Sequence, residues 1–157
     1  MVSLSDGWPQ GISPVTLTTG GLSVHGTAVS LAGKGVLIVG PSGAGKSSLA
    51  AQLIVHGAGL ICDDRLLLQR EEGHVRMAAP PTAIAKLELR GMGLVPVSLC
   101  GPTPLSCILS LEASLGRLPP EETVTVFDQA IPLLRHPYSP DLAAKLFLWV
   151  RAGLPQT

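Results

Sequence analysis

At 157 residues the chain has the length of one domain, and with 46% of its residues hydrophobic it can bury a core without disulfide staples. Eleven basic residues balance eleven acidic ones, so the cationic excess on which phosphate-backbone binding rests is missing, which argues against a nucleic-acid partner and leaves room only for a local patch. Charged residues make up 14% with no block of like sign, against a disordered chain or a basic tail.

Cys62, Cys100 and Cys107 lack C-x-x-C spacing and read as buried free thiols. The first twenty residues carry no Lys or Arg and break repeatedly at Gly and Pro, unlike a signal or transit peptide. No apolar run approaches the ~20 residues that a membrane crossing needs. No membrane association is expected, and the cytoplasm is the expected compartment.

In chain order, Val15 to Thr19 reads as a short strand and Leu22 to Leu31 as a second, followed by a turn and the apolar run Val36 to Val39. A turn centred on Gly33 and Lys34 sets His25 and Gly26 opposite Gly40 to Ser42. Leu49, Ala50, Leu53 and Ile54 recur at one-turn intervals, predicting a helix from Lys46 to His56 with Gly57 as its stop. Gly59 to Cys62 reads as a short buried strand ending at Asp63-Asp64. Arg65 to Arg70 and His74 to Ala78 form a hairpin around Glu71-Glu72-Gly73. Further strands are expected over Ala83 to Leu87, Leu94 to Leu99 and Leu105 to Leu111. Ser139-Pro140-Asp141 supplies an N-cap, a first-turn Pro and an acid for a last helix, which Leu142, Leu146, Trp149 and Val150 give an apolar face. These elements predict a single α/β domain spanning residues 1–157, with a mixed β-sheet core, flanking helices and a C-terminal helix.

The strongest chemical signal is Gly40-Pro41-Ser42-Gly43-Ala44-Gly45-Lys46-Ser47, a G-x-x-x-x-G-K-[ST] phosphate-binding loop between an apolar strand and a helix. Its glycines let backbone N–H groups turn toward a phosphate, and the helix N-terminus adds partial positive charge. Lys46 would reach the β- and γ-phosphates and Ser47 would offer its hydroxyl to Mg²⁺. This implies ATP or a related triphosphate, with Mg²⁺ as the second cofactor. Phosphoryl transfer also needs a group that orients or deprotonates the nucleophile. Asp63-Asp64 is the best candidate, at the carboxyl edge of a buried strand, and strand alternation predicts that only one of the two meets the nucleotide. His25 comes near the loop if the hairpin register holds. Glu88-Leu89-Arg90-Gly91-Met92-Gly93 offers a metal ligand, a phosphate contact and a mobile loop, or else a surface turn. His56, His74 and His136 have no ligand spacing.

Val24-His25-Gly26-Thr27, the loop Gly40 to Ser47, Gly59-Leu60-Ile61-Cys62-Asp63-Asp64 and Glu88-Leu89-Arg90-Gly91-Met92-Gly93-Leu94-Val95 resemble, in order and spacing, the catalytic domain of the HPr kinase/phosphorylase family. Arg117-Leu118 with Glu121-Glu122-Thr123 is similar to the family's Arg-Leu segment, and Ile131-Pro132-Leu133-Leu134-Arg135 to its late basic loop. The resemblance implies ATP-dependent phosphorylation of a serine on HPr, the phosphocarrier of the sugar phosphotransferase system, with inorganic phosphate reversing the reaction to give pyrophosphate. By position it assigns His25, Lys46, Asp64 and Arg117 to the active site, with Asp64 as the base. Ser47 and Glu88 become magnesium ligands. Asp63 would position the metal or His25, and Arg135 would serve the reverse reaction. It further implies the family's short form, without its N-terminal regulatory domain, and a homo-oligomer, a hexamer in the family. Ser48 stands where an acid is expected after the P-loop Ser. Arg135-His136-Pro137-Tyr138-Ser139-Pro140 departs from the family's arginine- and glycine-containing loop, which favours the kinase over the phosphorylase direction. Two alternatives stay open: a small-molecule P-loop kinase, although no arginine-rich lid is visible, and a non-catalytic ATP sensor that binds a protein partner.

Overall fold

The computed structural model describes residues 5–113, 116 and 120–153. Short strands β1 (Ser5–Asp6) and β2 (Val15–Thr16) precede β3 (Leu22–His25), β4 (Thr27–Leu31) and β5 (Lys34–Val39). Helix α1 (Lys46–Val55) leads to β6 (Gly59–Cys62), then to the hairpin β7 (Arg65–Glu71) and β8 (His74–Ala78). A ribbon of β9 (Lys86–Leu89) and β10 (Gly93–Pro96) follows. The chain then forms β11 (Thr103–Ser110), β12 (Glu122–Val126), β13 (Gln129–Arg135) and α2 (Leu142–Arg151).

Strand β11 joins two layers. Its first residues, Thr103 and Pro104, pair antiparallel with β8. After a register shift between Leu105 and Cys107 it runs parallel to β5 on one side and to β13 on the other. One layer therefore reads β1-β12-β13-β11-β5-β4-β6, and the other reads β2-β3-β7-β8. Alternation along the strands gives the first layer two buried faces. Leu37, Val39 and Ile108 pack toward the second layer with Leu66, Leu68 and Met77. Val36, Ile38 and Leu109 pack under the helices, against Leu49 and Leu53 of α1 and Leu142 and Leu146 of α2. Truncating a fully buried leucine such as Leu53 would cost about 2–5 kcal/mol. This is the mixed-sheet α/β fold with a C-terminal helix that the sequence predicts. Among the described residues no helix is long and apolar enough to cross a membrane.

Several expectations change in detail. The strand expected over Leu22 to Leu31 is two strands broken at Gly26, because β3 pairs with β7 while β4 pairs with β5 and β6. Gly26 N–H leaves the ladder and donates to Asp64 O at 2.9 Å. A Cβ there would stand 2.8 Å from Ile38 O, so only glycine lets the chain cross between layers. The β4–β5 turn falls on Ala32 and Gly33, both at positive φ, and Leu31 pairs with Lys34. The first short strand ends at Thr16 rather than Thr19. The strand expected from Ala83 begins only at Lys86, and that expected from Leu94 runs Gly93–Pro96, because the two pair with each other as a ribbon apart from the main sheet. Helix α2 starts after Asp141, without a side-chain cap bond, since Ser139 Oγ donates to the Asp141 carboxylate at 2.6 Å instead of to the backbone.

The segment Ile131 to Arg135 is not a loop. It lies within β13, paired with both β11 and β12, and its Pro132 is accommodated opposite Thr123.

Candidate active site

Strands β5, β11 and β13 are mutually parallel, and β6 runs the same way because both it and β5 are antiparallel to β4. Their carboxyl ends share one edge, where ligands gather in α/β sheets. A cavity of about 820 Å³ opens there, lined by the P-loop, by Cys62 to Arg65 after β6, by His25, and by the β9–β10 ribbon with Glu88 and Arg90.

The P-loop turns through Gly40, Gly43 and Gly45, all at positive φ, into α1. Lys46 Nζ donates to Gly40 O at 2.8 Å and to Pro41 O at 3.0 Å, which lays the ammonium across the mouth of the loop. Burial pulls its pKa below the ordinary lysine value, opposed by the negative charges of Asp63 and Asp64. Arg90, at the tip of the ribbon, reaches the opposite side of the loop: a Cβ on Gly43 would lie 3.4 Å from its Nη2.

After β6 the backbone reverses sharply. Arg65 N–H donates to Asp63 O at 3.1 Å across Asp64, which has φ of 81°. This is a γ-turn of the rarer, positive-φ form, strained for a residue with a side chain. The turn ends strand alternation, so both carboxylates line the cavity instead of pointing to opposite faces. They take different partners. Asp63 accepts from Thr27 Oγ1 at 2.8 Å and from Ser47 Oγ at 3.4 Å. Asp64 stands 3.0 Å from His25 Nε2, its side chain 82% exposed. His25 is thus the partner of Asp64 and not of Asp63. Arg65 is anchored by its Nη1 on Ser23 Oγ at 3.0 Å, and Cys62 Sγ donates to Arg65 O at 3.0 Å. Burial pushes the Cys62 thiol up, which keeps it a protonated donor rather than a nucleophile.

Ser47, Asp63 and Glu88 all line the cavity. Among the described residues no group of His, Cys, Asp or Glu forms a ready metal cage. Magnesium binds through one or two protein oxygens, waters and substrate phosphates, so a hydroxyl already bonded to a carboxylate, with a second carboxylate across the cavity, fits that ion.

His25, Gly43, Gly45, Lys46, Ser47, Asp63, Asp64 and Glu88 therefore meet in one cavity. Arg135 does not join them. It ends β13 beside Ser110, with Nη1 on Glu112 at 3.0 Å and Nε on Glu122 at 2.9 Å. Its hydrogen bonds to Glu122, then to Glu112, push its pKa up against the effect of burial. Its guanidinium is committed to carboxylates within the fold. Arg117 lies outside the described residues. Arg90 takes the place of the phosphate contact expected of Glu88 to Gly93, whereas the sequence singles out neither Thr27 nor Arg65; an Arg directly after the Asp pair was a signal available, but the burial of Thr27 appears only in the fold.

Residues 18–101 match the family model described as HPr Serine kinase C-terminal domain. The chain is 39% identical over 129 residues to an HPr kinase/phosphorylase of Lacticaseibacillus casei, covering 73% of this chain and 40% of that protein. It is 32% identical over 154 residues to the HPr kinase/phosphorylase of Bacillus licheniformis, covering 84% of this chain and 50% of that one. The chain thus spans half or less of the length of these relatives. The solved structure titled "Structure of the Hpr(Ser) kinase/phosphatase from Coxiella burnetii" superposes with a TM-score of 0.74 at 24% identity, covering 83% of this chain and 88% of that one, which supports the fold.

Proposed function

Because the chain belongs to the HPr serine kinase C-terminal domain family, we propose that it transfers the γ-phosphoryl group of ATP to a serine of HPr, with Mg²⁺ as cofactor. The observation that carries this reading is the Asp64–His25 pair, 3.0 Å apart, in the cavity that also holds Lys46 and the P-loop. The P-loop amides and Lys46 hold the β- and γ-phosphates, and Arg90 adds a cation from the ribbon side. Ser47, Asp63 and Glu88 would hold magnesium, which when bound neutralises charge between the phosphates. Asp64 accepts the serine proton as the serine oxygen bonds to phosphorus and the bond to the ADP oxygen breaks. His25 fixes the direction of the Asp64 carboxylate.

In the phosphorolysis direction an oxygen of inorganic phosphate bonds to the phosphoserine phosphorus as the bond to the serine oxygen breaks; Asp64 takes the proton of the attacking phosphate and passes it to that oxygen, and pyrophosphate is the product. With Arg135 tied to Glu112 and Glu122, the extra positive charge for that direction comes from Arg65 and Arg90, which line the cavity. A homo-oligomer acting on HPr in the cytoplasm completes the reading. The test is transfer of label from ATP to HPr: labelled phosphoserine supports it, whereas label moving only to a small molecule, or ATP binding without transfer, favours the alternative kinase or the sensor.

A further inference from the structure

We propose that Tyr138 is a positioning residue that holds the last P-loop glycine in its phosphate-gripping conformation. The inference rests on the reading of Gly40 to Ser47 as a phosphate-binding loop.

Gly45 is the point where that loop enters α1, its carbonyl accepting from Leu49 N–H at 2.9 Å. It has φ of 109° and precedes α1 as the N-cap residue, where a glycine has no side chain to cap the helix. A glycine at such a junction samples many conformations, and fixing it on ligand binding costs entropy. Here the fixing is done from outside. The segment after β13 brings Tyr138 onto Gly45 so closely that a Cβ there would stand 2.9 Å from Cγ, 3.0 Å from Cδ2 and 3.1 Å from Cβ of the tyrosine. These are atoms at the root of the ring and cannot swing away cheaply. Gly45 is therefore confined to glycine by contact as well as by backbone angle.

The far end of the ring is also held. Gln52 Nε2 donates to the Tyr138 hydroxyl at 2.6 Å. Gln52 lies two helical turns beyond Gly45 on α1, so the tyrosine spans the first two turns of the helix as a strut. Tyr138 is 39% exposed, so core filling does not account for its place. It is not among the residues that line the cavity, whereas Gly45 is. A bound phosphate and Tyr138 thus both bear on Gly45, and the strut lowers the ordering cost of binding any phosphate chain, with or without a nucleoside.

The test is calorimetric titration of Mg²⁺-ATP and of Mg²⁺-pyrophosphate, which has no nucleoside, into the whole chain. Variants are Tyr138→Ala, Tyr138→Phe, Gln52→Ala and the double variant Gln52→Ala with Tyr138→Phe. Tyr138→Ala should weaken both ligands by the same factor, about 5- to 10-fold. Tyr138→Phe and Gln52→Ala, which each remove only the clamp, should weaken both by about 2- to 3-fold, and the double variant by no more than either, since one contact is lost in all three. The last three keep the ring or leave it untouched, so they test the strut even if Tyr138→Ala folds poorly. Weakened ATP with unchanged pyrophosphate would mean that Tyr138 touches the nucleoside and would overturn the proposal, as would unchanged affinity for both. Failure of the unsubstituted protein to bind either ligand would overturn the phosphate-loop reading and this proposal with it.

Discussion

Asp64 Oδ1 lies 3.0 Å from His25 Nε2, joining the turn after β6 to the end of β3, while Asp63, one residue earlier, turns away to Thr27 and Ser47. A single γ-turn gives the two carboxylates separate partners. One pairs with the histidine at the end of β3 and the other with the hydroxyls of Thr27 and Ser47.

Asp64→Asn should lower transfer to HPr by about 10²- to 10⁴-fold, the range typical of a lost general base. Affinity for ATP should stay within a few-fold. The fold should survive, because Asn is among the few side-chain-bearing residues that tolerate positive φ, whereas Asp64→Ala adds about 1 kcal/mol of strain. Steady-state kinetics alongside thermal unfolding of both variants checks this; unimpaired turnover in Asp64→Asn removes the base from the mechanism.

Asp63→Asn should act through the metal. Loss of its charge beside Ser47 should raise the Mg²⁺ concentration for half-maximal transfer by about 10-fold, with much of the rate recovered at saturating Mg²⁺. Titrating activity against Mg²⁺ separates this from Asp64→Asn, which added metal should not rescue. An unchanged Mg²⁺ requirement would contradict the assignment.

Arg135→Ala should cost stability rather than catalysis. It leaves Glu112 and Glu122 facing each other without their cation at a site where the arginine is only 21% exposed, a loss of about 1–2 kcal/mol after allowance for solvent screening. Urea unfolding should show a lower midpoint, with ATP affinity unchanged. A selective loss of phosphorolysis at unaltered stability would restore Arg135 to the reactive site.

Cys107 is fully buried, and burial pushes its thiol from 9.0 up to about 12. Between those values the folded chain keeps a proton that the unfolded chain releases, so stability falls as pH rises, by up to about 1.4 kcal/mol per pH unit from this group. Below pH 9 the effect vanishes. Unfolding midpoints at pH 8, 10 and 11 should fall less steeply in Cys107→Val than in the unsubstituted protein, and equal slopes would contradict the shift.

Much of this was legible in the residues. The apolar run before Gly40 and the one-turn recurrence after Gly45 place the P-loop between strand and helix, where the structure has it. The pairing that links distant segments was less legible. Nothing local to Leu22–Leu31 says that its halves belong to different layers; that depends on β7 and β6, some forty and thirty residues on. The period of two in Gly59–Cys62 suggested that Asp63 and Asp64 would face opposite ways, but the positive φ of Asp64 cancels that alternation. Ile131 to Arg135 resembled a basic loop because its one cation is conspicuous in sequence, while the two glutamates that occupy it lie thirteen and twenty-three residues away. Tyr138 had no signal at all, since its contact with Gly45 arises only once the segment after β13 packs back onto the start of α1.

The most direct measurement is incubation of the chain with γ-labelled ATP, Mg²⁺ and HPr, followed by identification of the labelled residue, with Asp64→Asn in parallel. The expected result is label on a serine of HPr that requires Mg²⁺ and is lost in Asp64→Asn. ATP bound without label reaching HPr, or equal labelling by both proteins, would contradict a serine kinase built on the Asp64–His25 pair.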